Sequence, residues 1–264
     1  MVPKIRVPLL LLALLVSRPA AWGWGNDGHV SVNRVAAEKL PPDVPLFLRS
    51  AVAGLAYLGP EPDRWRDSSD AALKSSQEPD HYIGLERIAW LDRLPEGRYE
   101  FYQKLYAKRA QTKENPDDYL PERVGLQPYA VMESFGRWKA SFREYQRLRE
   151  RQQATDFEHT IVFYAGWLGH YVADGSQPLH TTIHYNGWVG ADPKGYTTHA
   201  GIHADFETAY VSRNIAASDF ANLVHAPEHL DDPFARYVEY LRASNAMVEK
   251  VYALYKAGSG CRIA

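Results

Sequence analysis

The sequence lacks several features that would place the protein in other structural classes. Its 264 residues include a single cysteine, Cys261, which excludes an intrachain disulfide and a zinc cluster held by thiolates. Its 30 lysine and arginine residues are balanced by 32 aspartate and glutamate residues, so we expect no broad polybasic surface for nucleic acid or membranes. Alternating polar and apolar stretches and internal repeats are also absent. With 45% hydrophobic residues, the chain has an ordinary globular composition, which excludes a mostly disordered protein.

The N-terminal segment contains the longest apolar stretch. Lys4 and Arg6 precede ten apolar residues at positions 7–16, and the small residues Ala21 and Gly23 occupy positions −3 and −1 of a cleavage site before Trp24. This arrangement predicts a signal peptide over residues 1–23, with an uncleaved anchor as the alternative. The stretch is shorter than the about 20 residues that span a bilayer. We therefore expect export, to the periplasm or outside the cell, of a single domain over residues 24–264.

Apolar residues recur at helical spacing through this domain and predict an all-α fold with seven or eight helices. Helices are predicted at residues 30–40, 44–58, 98–110, 128–151, 157–173, 205–211 and 232–256. Thr155 and Glu158 have the spacing of a capping box ahead of the helix at 157–173. Residues 59–79 are polar, contain three prolines and are predicted to form a long loop, of a length that usually has a function.

Histidines and acids form pairs at helical spacing. Among ten histidines, His170 lies four residues before Asp174, and His203 lies four residues before Glu207, so each pair shares one face of a helix. A further histidine, His180, follows the first pair. Imidazole and carboxylate ligands without thiolates are typical of catalytic zinc sites, which keep one position open for water. The alternative for each pair alone is a surface salt bridge.

At these residues the sequence resembles a known family. Trp24-Gly25-Asn26-Asp27-Gly28-His29 resembles the W-G-x-x-G-H start of the secreted single-strand-specific nucleases of the S-one/P-one type. The segment from His170 to His180 resembles their H-x-x-x-D-x-x-x-Q-P-x-H core, which also marks the bacterial zinc-dependent phospholipases C of the same fold. The resemblance extends from Trp24 to Glu207.

The resemblance implies three zinc ions in a cleft of an all-α catalytic domain. The first zinc would be bound by Asp63, His81, His170 and Asp174. The second, close to the first, would be bound by the α-amino group and carbonyl of Trp24, by His29 and by a shared Asp174. The third would be bound by His180, His203 and Glu207. An α-amine has a pKa near 8 and becomes a good ligand once zinc displaces its proton.

The resemblance also implies roles toward the substrate. Arg66 would contact the phosphate through a bidentate guanidinium, and Asp63 and Asp174 would be catalytic as metal ligands. The alternatives are that Asp63 caps a helix and that Arg66 is a solvated charge. Tyr82 follows His81, where the nucleases place an aromatic that stacks on a base; its alternative is a core tyrosine with a satisfied hydroxyl.

Three functions remain open from the sequence. The first is a secreted zinc-dependent endonuclease that hydrolyses single-stranded DNA or RNA to 5′-nucleotides, a class that can also show 3′-nucleotidase activity. The second is a phospholipase C acting on phosphatidylcholine-like lipids, and the third is a non-catalytic zinc-binding protein. Glu207 matches the phospholipases, and the nucleases commonly have disulfides that this chain cannot form. The short spacing from Trp24 to His29 and the long insert between His180 and His203 match the nucleases. No protein partner is evident, and we expect a monomer.

Overall fold

The computed structural model describes residues 24–66, 69–149, 154–192, 194–225 and 227–258. Within these ranges all regular secondary structure is helical, apart from one isolated bridge between Tyr185 and Gly187. This confirms the all-α prediction. The predicted signal peptide, residues 1–23, and Cys261 lie outside the described residues.

Fourteen α-helices lie in the described residues, and eight of them have seven or more residues. They are α1 (Gly25–Glu38), α2 (Leu46–Arg49), α3 (Val52–Leu58), α4 (Glu61–Arg66), α5 (Ala71–Gln77), α6 (Arg98–Gln111), α7 (Pro121–Val124), α8 (Gln127–Arg149), α9 (Thr155–Ser176), α10 (Ile202–Ala204), α11 (Val211–Asn214), α12 (Ala217–Phe220), α13 (Pro233–Asn245) and α14 (Val248–Gly258). Short 3-10 helices lie at Glu78–His81, Leu85–Ile88, Pro116–Tyr119, Pro178–Thr181 and Ala221–Leu223, and a π-helix lies at Asp205–Tyr210. Among the described helices, none is both long and apolar enough to cross a membrane.

Helix α9 lies at the centre of the fold and packs against α1, α3, α8 and α13. Its side chains enter two hydrophobic clusters: Trp167 and Tyr171 pack with residues of α6, α8 and α13, and Ile161 packs with residues of α1, α2 and α3. Burial of each large apolar side chain contributes about 1.5–3 kcal/mol. The last two turns of α9, which contain His170 and Asp174, are therefore fixed by packing on several sides.

Two glycines let α1 and α3 approach α9 closely. A Cβ at Gly169 would lie 2.3 Å from Asn33 Oδ1, and a Cβ at Gly166 would lie 2.4 Å from a side chain of α3. The buried Asn33 amide also donates to the Gly166 carbonyl (3.0 Å) and so joins α1 to α9. This close packing stacks the rings of His29 and His170, whose centroids are 4.0 Å apart.

The prediction of a long loop over residues 59–79 is wrong, because α4 and α5 lie within it. Pro62 lies in the first turn of α4, where a helix needs no N–H donor, and acidic residues in that turn complement the helix dipole. Helix α5 begins after Asp70, whose carboxylate accepts a hydrogen bond from Leu73 N (2.9 Å). Asp63 and Arg66 consequently lie on one helical turn, and their positions are fixed relative to each other.

Three other predicted boundaries are also wrong. Helix α9 begins at Thr155 itself and has no side-chain cap, so the predicted capping box does not form. The helix predicted at 44–58 is divided at residues 50–51, where the Ser50 hydroxyl donates to the Leu46 carbonyl (2.7 Å) and competes with the helical hydrogen bonds. The helix predicted at 232–256 is divided at residues 246–247, where Met247 N donates to Ser244 O (2.9 Å) in a tighter turn.

Candidate metal centre

Five of the predicted ligands come together beside α9 from four separate elements. They are His29 of α1, Asp63 of α4, His81 of the 3-10 helix Glu78–His81, and His170 and Asp174 of α9. We call these five residues the α9 group. Each of their side chains is fully buried, with 0% exposure.

The α9 group contains two overlapping sets that could hold a metal ion, since the ligand atoms of each set lie within 4.8 Å of one another: His29, His170 and Asp174, and Asp63, His81 and His170. His81 Nδ1 lies 3.0 Å from both Asp174 Oδ2 and His170 Nε2, and His29 Nε2 lies 3.3 Å from Asp174 Oδ1. Ligands bound about 2.0–2.1 Å from a tetrahedral zinc lie about 3.3 Å from one another. The observed spacings are therefore compatible with a bound metal ion.

The other three predicted histidine and acid ligands form a second set, which we call the Glu207 group. His180 lies on the 3-10 helix Pro178–Thr181 directly after α9, His203 lies on α10, and Glu207 lies on the π-helix Asp205–Tyr210. Glu207 Oε2 is 2.8 Å from His203 Nε2 and 3.4 Å from His180 Nε2, and the two Nε2 atoms are 3.1 Å apart. This set could also hold a metal ion.

Backbone carbonyls determine which ring nitrogen of three histidines is protonated. Each ring donates from Nδ1 to a carbonyl: His170 to Gly59 (2.8 Å), His180 to His81 (2.7 Å) and His203 to Tyr185 (3.0 Å). Because a carbonyl only accepts, each Nδ1 bears the hydrogen, and Nε2 of the neutral ring presents a lone pair to its group. In the Glu207 group two such lone pairs face each other beside a carboxylate. Because the two lone pairs repel each other, a cation or an added proton between them is needed to stabilise this arrangement.

Several buried polar atoms of the two groups make no hydrogen bond within the described part of the chain. They are both ring nitrogens of His29, both carboxylate oxygens of Asp63, Nε2 of His81, Oδ1 of Asp174 and Oε1 of Glu207. A buried polar atom without a partner costs about 1–3 kcal/mol. Their concentration around three carboxylates favours a partner other than the polypeptide, such as water or a cation.

Burial and neighbouring charges shift the pKa values of these residues in opposite directions. Burial, followed by the charge of Arg66, lowers the pKa of His81 to about 3. Burial would raise the pKa of Asp174, but the charges of His170 and His180 hold it well below its usual value. Burial would lower the pKa of His180, but the nearby carboxylates, Asp174 foremost, raise it to about 9. Asp174 is therefore ionised at neutral pH and attracts positive charge.

Trp24 lies at the start of α1, and its side chain is hydrogen-bonded to the end of α9. Its backbone is in the left-handed region, with φ of 36°, and its indole N–H donates to the Ala173 carbonyl (2.7 Å) and the Ser176 hydroxyl (3.1 Å). Ala173 immediately precedes Asp174, so the structure brings Trp24 beside the predicted shared ligand. Coordination by the α-amine of Trp24 stays a prediction.

The two residues predicted to contact substrate are both partly buried. Arg66 Nη2 lies 2.8 Å from Asp63 Oδ1, and the Arg66 side chain is 15% exposed at the edge of the α9 group. Tyr82 is partly buried, its hydroxyl donates to the Glu122 carbonyl, and its ring packs against the backbone at Gly125. Burial raises the pKa of the Tyr82 hydroxyl to about 12. Base stacking by Tyr82 stays a prediction, and only part of its ring is open to a base.

Comparison of the chain with known proteins gives no match, either to a protein-family model or to a curated protein. The family resemblance therefore stays a prediction.

Sequence reasoning did not assign the residues that orient the ligands. Gln177 Nε2 donates to Glu207 Oε2 (2.6 Å), and Gln127 Nε2 donates to the His81 carbonyl (3.1 Å). Gln177 belongs to the Q-P-x-H motif, so its proximity to His180 was a usable signal. Gln127 is 46 residues from His81 in the chain, and no local pattern connects them.

Proposed function

We propose that this protein is an exported zinc-dependent phosphodiesterase that hydrolyses single-stranded DNA or RNA. The observation that supports it most strongly is the Glu207 group, in which two Nε2 atoms face each other at 3.1 Å while their Nδ1 atoms donate to carbonyls. The α9 group lies directly beside it, because His180 Nδ1 is 3.6 Å from Asp174 Oδ1. Two adjacent buried cation sites are the arrangement that multi-metal phosphoesterases use.

The ligand atoms fit zinc better than other common ions. The two groups offer five imidazoles and three carboxylates, and zinc favours such mixed nitrogen and oxygen sets, whereas calcium and magnesium favour oxygen alone. In our proposal Asp63, His81, His170 and Asp174 hold one ion, Trp24, His29 and Asp174 hold a second, and the Glu207 group holds a third. Zinc bound there would act as a Lewis acid on a phosphate oxygen and lower the pKa of a water molecule.

Asp174 connects the two groups. Its Oδ1 lies 3.3 Å from His29 Nε2 and 3.6 Å from His180 Nδ1, and its Oδ2 lies 3.0 Å from His81 Nδ1. One carboxylate thus contacts histidines from three separate segments of the chain. In our proposal Asp174 is the ligand shared by the first and second ions of the α9 group, and its negative charge also offsets positive charge in the adjacent Glu207 group.

Arg66 supplies positive charge at the boundary between the α9 group and solvent. Asp63 holds the guanidinium through Nη2 at 2.8 Å, and the side chain remains 15% exposed. A guanidinium has five N–H donors and can bind a phosphate with two of them at once. In our proposal Arg66 binds the scissile phosphate and stabilises the negative charge that develops on it.

The proposal is tested by comparing substrates at equal enzyme concentration. Protein dialysed against zinc and freed of excess is given a single-stranded DNA oligonucleotide or phosphatidylcholine vesicles, and bound zinc is measured by elemental analysis. We expect faster hydrolysis of the DNA and about three zinc ions per chain, one for each candidate set. Faster hydrolysis of the vesicles would favour phospholipase C activity over nuclease activity, in agreement with the glutamate that the phospholipases have at the position of Glu207. Zinc without either activity would leave a zinc-binding protein, and one zinc or none would overturn the proposal.

A further inference from the structure

The surface beside Tyr82 contains two arginines whose hydrogen-bond donors are incompletely used. Arg123 of α7 is exposed, and no carboxylate among the described residues pairs with it. Arg87, on the 3-10 helix Leu85–Ile88, is 23% exposed and donates from Nη2 to Asp118 Oδ1 (3.2 Å). Its Nε is buried and has no hydrogen bond to a described residue. The Arg123 guanidinium and the exposed part of the Arg87 guanidinium can therefore contact an anion.

The two arginines lie on segments that are attached to the α9 group. Tyr82 follows His81 directly, and its hydroxyl donates to the carbonyl of the residue that precedes Arg123. Two residues after Tyr82, the Gly84 N–H donates to a carbonyl of α7 (2.7 Å), and a Cβ at Gly84 would lie 3.4 Å from Arg87 Nη1. The segments that contain His81, Arg87 and Arg123 thus form one hydrogen-bonded unit.

Two aromatic rings lie beside Arg87 on this surface. The indole N–H of Trp90 donates to the Arg87 carbonyl (2.9 Å), and the Trp90 ring is 36% exposed and lies 6.5 Å from the ring of Tyr119. Lys108 Nζ lies 5.4 Å from the first ring centroid and 5.8 Å from the second. Basic groups interleaved with aromatic faces are typical of surfaces that bind the phosphates and bases of a single strand.

Carboxylates near these arginines weaken the attraction of this surface for a distant anion. Asp118 is bound to Arg87, and Glu86 faces the segment at residues 182–183, where it accepts two hydrogen bonds. Glu122 is exposed beside Arg123 and reduces the long-range attraction for an anion. A phosphate would consequently be recognised here by direct contact with the guanidinium groups and not by a broad positive field.

We propose that Arg123, together with Arg87, binds a second phosphate of a polynucleotide, next to the phosphate that is hydrolysed. This inference rests on the proposed function, because it identifies a polymer as the substrate of the same site. Trp90 and Tyr119 then face the base that follows this phosphate. A molecule with a single phosphodiester has no second phosphate and gains nothing from this subsite.

The test compares Arg123→Gln with a matched control on two substrates. Arg143→Gln removes the same charge from an exposed position of α8, about 24 Å along that helix from Gln127, which contacts the His81 carbonyl. The substrates are a ten-nucleotide single-stranded DNA and a dinucleotide with one phosphodiester. We expect Arg123→Gln to lower kcat/KM for the ten-nucleotide strand about tenfold, the loss of one charge-assisted contact, and to leave the dinucleotide unchanged. Arg143→Gln should change neither, Arg123→Lys should retain part of the rate, and melting temperatures should stay equal.

Binding without turnover provides a second measurement. Anisotropy of a fluorescent ten-nucleotide strand with hydrolysis-resistant phosphorothioate linkages is titrated at several salt concentrations with zinc-loaded protein. Loss of one phosphate contact should reduce the slope of log affinity against log salt by about 0.7 for Arg123→Gln. The same slope in wild type, Arg123→Gln and Arg143→Gln, or equal losses on both substrates, would overturn the subsite. If the wild type hydrolyses neither nucleic acid, the proposed function itself is overturned. If the wild type hydrolyses both and Arg123→Gln has the same kcat/KM values, only the subsite is overturned.

Discussion

Replacement of Asp174 by asparagine keeps the size of the side chain and removes one negative charge from the place where the α9 group and the Glu207 group meet. The carboxylate is fully buried and lies 3.0–3.3 Å from His29, His81 and His170. At an effective dielectric constant of about 20, one contact with a positive charge at this distance is worth about 5 kcal/mol before solvation is subtracted. Loss of one partner of a buried charge pair costs about 3–5 kcal/mol net. This corresponds to about two to four orders of magnitude in metal affinity or rate.

We therefore expect Asp174→Asn to lose at least one zinc ion and to reduce kcat/KM on single-stranded DNA by about two orders of magnitude or more. Zinc is counted by elemental analysis after dialysis, and the rate is measured with and without added zinc. Asp205→Asn is the matched control, because Asp205 lies between His203 and Glu207 in the chain but is 48% exposed and accepts a hydrogen bond from the Tyr255 hydroxyl (2.8 Å). The control should retain its zinc and its rate. Equal damage from the two variants, or full zinc content in Asp174→Asn, would refute the assignment of Asp174 as a shared ligand.

Three further predictions concern the chain start, the protons and the packing. Protein made with a methionine retained before Trp24 should lose the zinc assigned to His29 and nearly all turnover, since an amide nitrogen is not a basic ligand. Mass spectrometry of the exported protein gives its first residue. Full activity of the extended protein would exclude the α-amine of Trp24 as a ligand. Because the folded pKa of His180 is about 9 and exceeds its unfolded value near 6.5, the metal-free protein should lose stability as pH rises from about 6.5 to 9. Melting temperatures measured in chelator at the two pH values check this, and an unchanged or rising value would contradict it. Gly169→Ala should lower the free energy of unfolding by about 1–3 kcal/mol, because the new Cβ would lie 2.3 Å from Asn33 Oδ1. Urea unfolding measures this change. An unchanged urea midpoint would show that α1 can move away from α9.

The proximity of the candidate ligands is predictable from the sequence where they are four residues apart on one helix. His170 with Asp174, and His203 with Glu207, are four residues apart, and helical periodicity alone places each pair on one face. The structure brings the same pairs into contact, at 3.2 Å and 2.8 Å. The presence of His29 in the α9 group cannot be derived from local spacing. It depends on the close approach of α1 to α9 at Gly169, which is a property of two helices and not of one.

The sequence reasoning failed where one residue type has two opposite meanings. Prolines between residues 59 and 79 were interpreted as loop signals, yet Pro62 occupies the one part of a helix that tolerates proline. The carbonyls of Gly59 and Tyr185 that orient His170 and His203 were also beyond prediction, because every residue has a carbonyl. Only the fold determines which carbonyl faces a histidine.

The hydrogen bond from His180 Nδ1 to the His81 carbonyl has a thermodynamic consequence. It makes the backbone of a ligand in the α9 group the support that orients a ligand in the Glu207 group. If the two groups hold zinc as proposed, an ion that orders His81 would also reduce the entropy to be lost when His180 is ordered, so that occupancy of one group would favour occupancy of the other. By linkage this coupling is reciprocal. Partly loaded molecules should then be rare, and zinc should enter the protein as a set.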